Sequence, residues 1–138
     1  MSFLKSLVAV VVIIFTTTMS TVEAWEGVVI FYEKTHFNGQ SFPWFIDTAQ
    51  KCYDMSCFND KATSVKWQGL PQKGSFNGKA HIAFYKNSEC TGYYLEWTTE
   101  EKNYPLDLTL DKMNDDISSF MVWVDNSDKK YGSESPCQ

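Results

Sequence analysis

Residues 28–39 read Val-Val-Ile-Phe-Tyr-Glu-Lys-Thr-His-Phe-Asn-Gly, and residues 81–92 read His-Ile-Ala-Phe-Tyr-Lys-Asn-Ser-Glu-Cys-Thr-Gly. Phe-Tyr falls on Phe-Tyr and Gly39 on Gly92, 53 residues apart. Further along, Phe58-Asn59-Asp60-Lys61-Ala62-Thr63-Ser64-Val65 matches Met113-Asn114-Asp115-Asp116-Ile117-Ser118-Ser119-Phe120 at a spacing of 55. Two landmarks in the same order at nearly the same spacing define an internal repeat. Each copy has an aromatic strand, a Gly-containing turn, a variable stretch, and Asn-Asp-x-x-Ser/Thr-Ser leading into another strand.

The local chemistry predicts four short strands per copy. In the first copy these are Val28–Glu33, Gln40–Phe45, a segment around Lys51–Tyr53, and Thr63–Trp67. The second copy gives Ile82–Lys86, Tyr93–Trp97, a segment near Leu106–Leu110, and Ser118–Val124. Gln68–Lys79, with three Gly and one Pro, reads as the connection between copies. Residues 125–138 are polar and read as a C-terminal tail anchored only at Cys137. No amphipathic helical period is sustained. The fold class expected is all-β: two Greek keys, about 27–68 and 80–124, packed as one sandwich of about eight strands over residues 25–124.

The first two dozen residues read as a leader. Lys5 precedes an unbroken apolar run from Leu7 to Phe15, and Val22-Glu23-Ala24 places small residues before a cleavage point after Ala24. Residues 1–24 are therefore expected to be a signal peptide and the protein secreted, leaving 114 residues. That length allows one modest core and excludes multi-domain and barrel-sized enzymes. No apolar run approaches the ~20 residues of a membrane-spanning helix.

The formal net charge is −5, and all 12 basic residues are Lys. Acidity without Arg argues against nucleic acid and against anionic membranes as partners. Four cysteines (Cys52, Cys57, Cys90, Cys137) in a small secreted domain read as two disulfides, with Cys52–Cys57 and Cys90–Cys137 as the favoured pairing.

The pattern Tyr32-x4-Phe37-x-Gly39 followed by Asn59-Asp60-x-x-Thr63-Ser64, repeated as Tyr85 to Gly92 and Asn114-Asp115-x-x-Ser118-Ser119, resembles the βγ-crystallin superfamily. The resemblance spans roughly residues 27–124, and Cys90 stands where the first copy has the aromatic Phe37. In calcium-binding members similar to this chain, the two loops are shared crosswise between two ion sites. The resemblance thus implies one site from the carbonyls of Glu33 and Lys61, the Thr63 hydroxyl and the Asp115 carboxylate. It implies a second from the carbonyls of Lys86 and Asp116, the Ser118 hydroxyl and the Asp60 carboxylate. The chemistry agrees, because Ca²⁺ takes six to eight oxygen ligands from carboxylates, carbonyls and hydroxyls. Ser64 and Ser119 are assigned to the folded hairpins rather than to the ion.

The function expected is that of a secreted, calcium-binding, non-enzymatic monomer whose ion stabilises the fold, with any extracellular protein or glycan target left open. The alternatives are a protease inhibitor presenting Leu70-Pro-Gln-Lys-Gly74, or an antimicrobial or toxin-type effector. The absence of a basic face speaks against the membrane-active form of the latter. His36 reads as a surface residue of a hairpin turn, and Trp25, Trp44 and Trp97 as core or rim residues.

Overall fold

The structure, a computed structural model, describes residues 10–14 and 24–135. Most of the expected leader, and Cys137, lie outside the described residues. The strands are β1 (Gly27–Tyr32), β2 (Ser41–Ile46), β3 (Cys52–Asp54), β4 (Ser64–Gln68), β5 (His81–Asn87), β6 (Thr91–Thr98), β7 (Ser119–Trp123) and β8 (Ser133–Glu134). They form two sheets, of order β2-β1-β4 and β6-β5-β7-β3-β8. β3, although it comes from the first copy, leaves its own copy's sheet and pairs antiparallel with β7 of the second.

Alternation explains the first sheet. Along β1, Val29 and Phe31 are fully buried while Val28, Ile30 and Tyr32 are half-buried. β5 is different: Ile82, Ala83, Phe84 and Tyr85 are all buried. Ile82 and Phe84 join the inter-sheet core, whereas Ala83 and Tyr85 pack with Met121 and Trp123 in a second cluster under Phe76 and Cys90. Strands buried on both faces lose the period-two signal and read as continuous apolar runs.

The main core is aromatic. Phe31 meets Phe84 edge-on at 5.9 Å and Phe120 at 5.3 Å, and Tyr53 stacks on Phe120 at 5.4 Å. Burying each such ring contributes about 2–3 kcal/mol. Trp44 is buried, and Trp25 and Trp97 are half-buried against the same core, as rim residues should be.

Three expectations need correction. Leu106–Leu110 is not a strand. Its backbone lies beside β4, where Val65 N–H donates to the Pro105 carbonyl (3.2 Å) and Leu108 N–H to the Thr63 carbonyl (2.8 Å). Pro105 has no N–H to continue a ladder, and the chain then turns, with Leu110 N–H returning to the Asp107 carbonyl.

The tail is not held at Cys137 alone. β8 adds to β3 in parallel, and buried Gln50 ties down the segment before it. The Gln50 Oε1 accepts from Val124 N–H (2.7 Å) and Asp125 N–H (3.2 Å), while Nε2 donates to the carbonyls of Asn126 (2.9 Å) and Asp128 (2.7 Å).

The third correction is the disulfide. Cys52 is bonded to Cys90, not to Cys57. Cys52 is fully buried beneath the turn of the second hairpin, whereas Cys57 sits on an exposed turn closed by Phe58 N–H to the Met55 carbonyl. Cys57 is itself disulfide-bonded.

Candidate metal centre

The two Asn-Asp loops meet across the sandwich through a set of paired contacts. Asp60 N–H donates to the Ile117 carbonyl (3.2 Å), and Asp115 N–H to the Ala62 carbonyl (3.0 Å). Thr63 N–H donates to the Tyr32 carbonyl (2.8 Å), and Ser118 N–H to the Tyr85 carbonyl (2.9 Å). Each loop is therefore pinned at its second residue by the other loop and at its fifth by the first strand of its own copy. That strand continues into Glu33 in one copy and contains Lys86 in the other, so both carbonyl positions named from the sequence lie beside the loops.

Asp60 and Asp115 take φ of 57° and 54°. Asp tolerates this left-handed region better than most side chains because it bonds locally. The Asn before each Asp supplies such a bond. Asn59 Nδ2 donates to Asp60 Oδ2 (3.0 Å) and Asn114 Nδ2 to Asp115 Oδ2 (3.2 Å). Each carboxylate is thereby oriented through one oxygen. Asn59 and Asn114 belong to the repeated motif but not to the expected ligand sets; their recurrence immediately before each Asp is the signal for this orienting role.

Ser64 and Ser119 occupy the hairpin corners. Ser64 Oγ donates to the Lys34 carbonyl (2.6 Å) and accepts from Phe37 N–H (3.1 Å). Ser119 Oγ donates to the Asn87 carbonyl (2.6 Å) and accepts from Cys90 N–H (2.9 Å). Both serines are fully buried. They brace corners in which His36, Phe37, Glu89 and Cys90 all take positive φ. His36 itself is exposed.

Glu33, Lys34, Gln40, Asp60, Lys61, Thr63 and Asp115 line one surface depression of about 440 Å³. All four residues of the first expected site are among them. No hydrogen bond within the described residues engages the Glu33 or Lys61 carbonyl or the Thr63 hydroxyl, although Thr63 is only 8% exposed. Beside Asp115, Asn114 Oδ1 is buried without a partner.

Two of the four residues of the second site also meet, Ser118 Oγ donating to Asp60 Oδ1 at 3.2 Å. Two oxygens bound to one Ca²⁺ at about 2.4 Å stand about 3.4 Å apart when at right angles, so this spacing suits one coordination shell. The other two are joined by their side chains, Lys86 Nζ lying 3.4 Å from Asp116 Oδ2.

Among the described residues no three His, Cys, Asp or Glu side chains converge as a metal cluster. An ion here would draw on carbonyls and hydroxyls with few carboxylates, a donor set that suits a hard cation. Behind the second loop, burial pushes the Tyr85 phenol up to about 12, although Trp123 Nε1–H donates to it and acts in the opposite sense.

A structure solved for the evolution of the eye lens βγ-crystallin domain fold is 27% identical to this chain, covering 72% of it and 87% of itself, with a TM-score of 0.50. A βγ-crystallin from an archaeon is 24% identical over 69% of this chain and 95% of its own, at 0.46. A βγ-crystallin domain from Clostridium beijerinckii is 22% identical over 70% and 97%, at 0.45. No protein-family model matches the sequence, and no curated protein does. With the β3 exchange between its two Greek keys and the first of these likenesses, the chain has the fold of a βγ-crystallin domain.

Proposed function

We propose that this protein is a secreted calcium-binding domain, not an enzyme, in which two ions stabilise the fold by bridging its two Greek keys. The observation that carries the reading is the first depression. There Glu33, Lys61, Thr63 and Asp115 line one depression, and no hydrogen bond among the described residues engages the Glu33 or Lys61 carbonyl or the Thr63 hydroxyl.

When bound, calcium supplies positive charge to oxygens that otherwise face water or lie half-buried. Asp115 and Asp60 would hold it by charge, and Thr63 and Ser118 by neutral oxygens. Glu33, Lys61, Lys86 and Asp116 would contribute carbonyls. Because the ligands come from both keys, the ion favours the native state and stabilises it by RT ln(1 + [Ca²⁺]/Kd), about 2.7 kcal/mol at a hundredfold excess over Kd. Secretion fits this use, and N-terminal sequencing of secreted material should begin at Trp25.

The inhibitor reading has less support. Leu70 is buried, the Pro71 carbonyl accepts from Thr99 Oγ1 (2.5 Å), and Gln72 Nε2 donates to the Thr99 carbonyl (2.7 Å). A loop held down in this way presents little to a protease cleft.

The test is calorimetry with calcium. The double variant Asp60→Ala/Asp115→Ala should lose the heat of binding that the unmodified protein gives. Unchanged binding in the double variant would refute the assignment of both sites.

A further inference from the structure

Each sheet has two outer strands, and three of these edges are closed to further pairing. β4 is flanked by the backbone of residues 105–108, through the Val65 N–H to the Pro105 carbonyl and the Leu108 N–H to the Thr63 carbonyl. β8 is only two residues long. β2 carries Pro43, which has no N–H to offer a further strand. β6 differs: it is eight residues long, forms the edge of the five-stranded sheet, and contains neither Pro nor Lys. Tyr93 and Tyr94 on it are 53% and 45% exposed, and residues 92–96 line a surface depression of about 550 Å³. The repeat also fixes which backbone groups point outward. Pro43 faces Ile30 in the first copy, and Glu96 faces Ala83 in the same place in the second. Proline is accommodated in an edge strand where its nitrogen faces away from the sheet. The Glu96 N–H therefore points off the free edge, and by alternation so does that of Tyr94, while Leu95 bonds back to β5.

We infer that β6 is a self-association edge: in place of the monomer expected from the sequence, two copies of this chain join through antiparallel β6 strands into one continuous sheet. The strand is complementary to itself in the register centred on Leu95. That register sets Tyr94 of each copy against Glu96 of the other, so their outward N–H and C=O groups exchange bonds. Tyr94 and Glu96 share the outer face, where the Tyr94 ring rests on Tyr85 and Trp123, at 5.5 and 5.4 Å. The Tyr94 hydroxyl has no hydrogen-bond partner among the described residues, and here it meets a carboxylate. On the other face Leu95 meets Leu95 of the second copy, and Tyr93 meets Trp97, the apolar and aromatic cross-strand pairs that stabilise sheets. Centring the pairing on Glu96 would oppose two carboxylates. Centring it on Tyr94 would set Glu96 against Gly92, at the end of the strand where the register with β5 shifts. The resulting two-fold contact is closed, so it hides an edge that would otherwise template open-ended pairing. No step of it requires calcium.

The experiment is sedimentation of the unmodified protein over a concentration series, in calcium and in chelator, with amide hydrogen exchange read at the same concentrations. One strand pair is a small interface, so a reversible dimer with a micromolar-to-millimolar dissociation constant is expected in both conditions. Exchange at Tyr94 and Glu96 should slow as the dimer fills, about tenfold once nine-tenths of the chains are paired, because it then proceeds from the unpaired tenth. Leu95, already bonded to β5, and Phe45 on β2 should not change. Glu96→Pro reproduces the edge of β2, which shows that the fold accepts proline at this place, and should weaken association about tenfold or more. Glu96→Gln loses the same charge but keeps the N–H, and should stay within about threefold of the unmodified protein. A chain that remains monomeric to millimolar concentration, whether or not added extended peptides bind β6, would overturn the inference. So would a dimer that Glu96→Pro leaves unweakened, or one whose formation leaves exchange at Tyr94 and Glu96 unchanged.

Discussion

Replacing Ser64 by Ala separates scaffold from ligand more sharply than any other single change. The Ser64 hydroxyl is fully buried and satisfies two backbone groups, the Lys34 carbonyl at 2.6 Å and Phe37 N–H at 3.1 Å. Alanine leaves both without their partner in a corner where His36 and Phe37 already take positive φ. An unsatisfied buried group costs about 1–3 kcal/mol, and two of them in one strained corner place the loss near 2–3 kcal/mol. At roughly 5 °C per kcal/mol for a domain of this size, the melting temperature should fall by about 10–15 °C. The loss should be the same in calcium and in chelator. The neighbouring Thr63→Ala removes a hydroxyl that bonds nothing within the described residues. It should cost under about 1 kcal/mol in chelator, with most of its effect appearing as weaker calcium binding. Urea denaturation of both variants in chelator and in excess calcium makes the comparison. Equal losses for the two variants in chelator would refute the division of roles.

Other outcomes follow from the same structure. Gln50→Ala removes five hydrogen bonds from a buried side chain and should cost about 2–3 kcal/mol while opening residues 125–132 to proteolysis; a loss under about 0.5 kcal/mol would contradict its role as the anchor of the tail. Peptide mapping should recover a Cys52–Cys90 link and, with only four cysteines in the chain, Cys57 joined to Cys137. The Cys52→Ala/Cys90→Ala variant opens a 38-residue loop and should lose about 3–4 kcal/mol.

Tyr85 governs part of the alkaline limit. Its folded-state value of about 12 lies above the ordinary 10, so the stability it contributes is complete below pH 10 and drains away as pH rises towards 12. Tyr85→Phe should flatten that decline by on the order of 2 kcal/mol between pH 9 and 12; an unchanged slope in denaturation curves would refute it.

The repeat was legible because it fixes backbone geometry twice. Asn-Asp-x-x-Ser/Thr-Ser marks loops that cross-bond in mirror fashion, and its last Ser marks a hairpin corner, so spacing alone located both. What escaped depends on partners distant in the chain. β8 has two exposed residues and no hydrophobic pattern; it exists because β3 offers a free edge. Gln50 is a lone polar residue whose importance comes from backbone groups some 75 positions away. Leu106–Leu110 has the apolar content of a strand, but Pro105 and the turn at Asp107 deny it a ladder. The disulfide was misread because proximity in sequence says nothing about side-chain direction. Cys52 lies beneath the second hairpin while Cys57, five residues on, is exposed. At the candidate site the repeat did not announce the difference between the two copies, which lies in the Lys86–Asp116 ion pair and the Ser118–Asp60 bond.

The central claim, that calcium bridges the two Greek keys, is tested most directly by the melting temperature of the unmodified protein in chelator and in millimolar calcium. The account predicts a calcium-dependent rise of roughly 5–15 °C, which corresponds to about 1–3 kcal/mol of preferential binding to the native state. Coincident melting curves, with no heat of calcium binding in calorimetry, would contradict it.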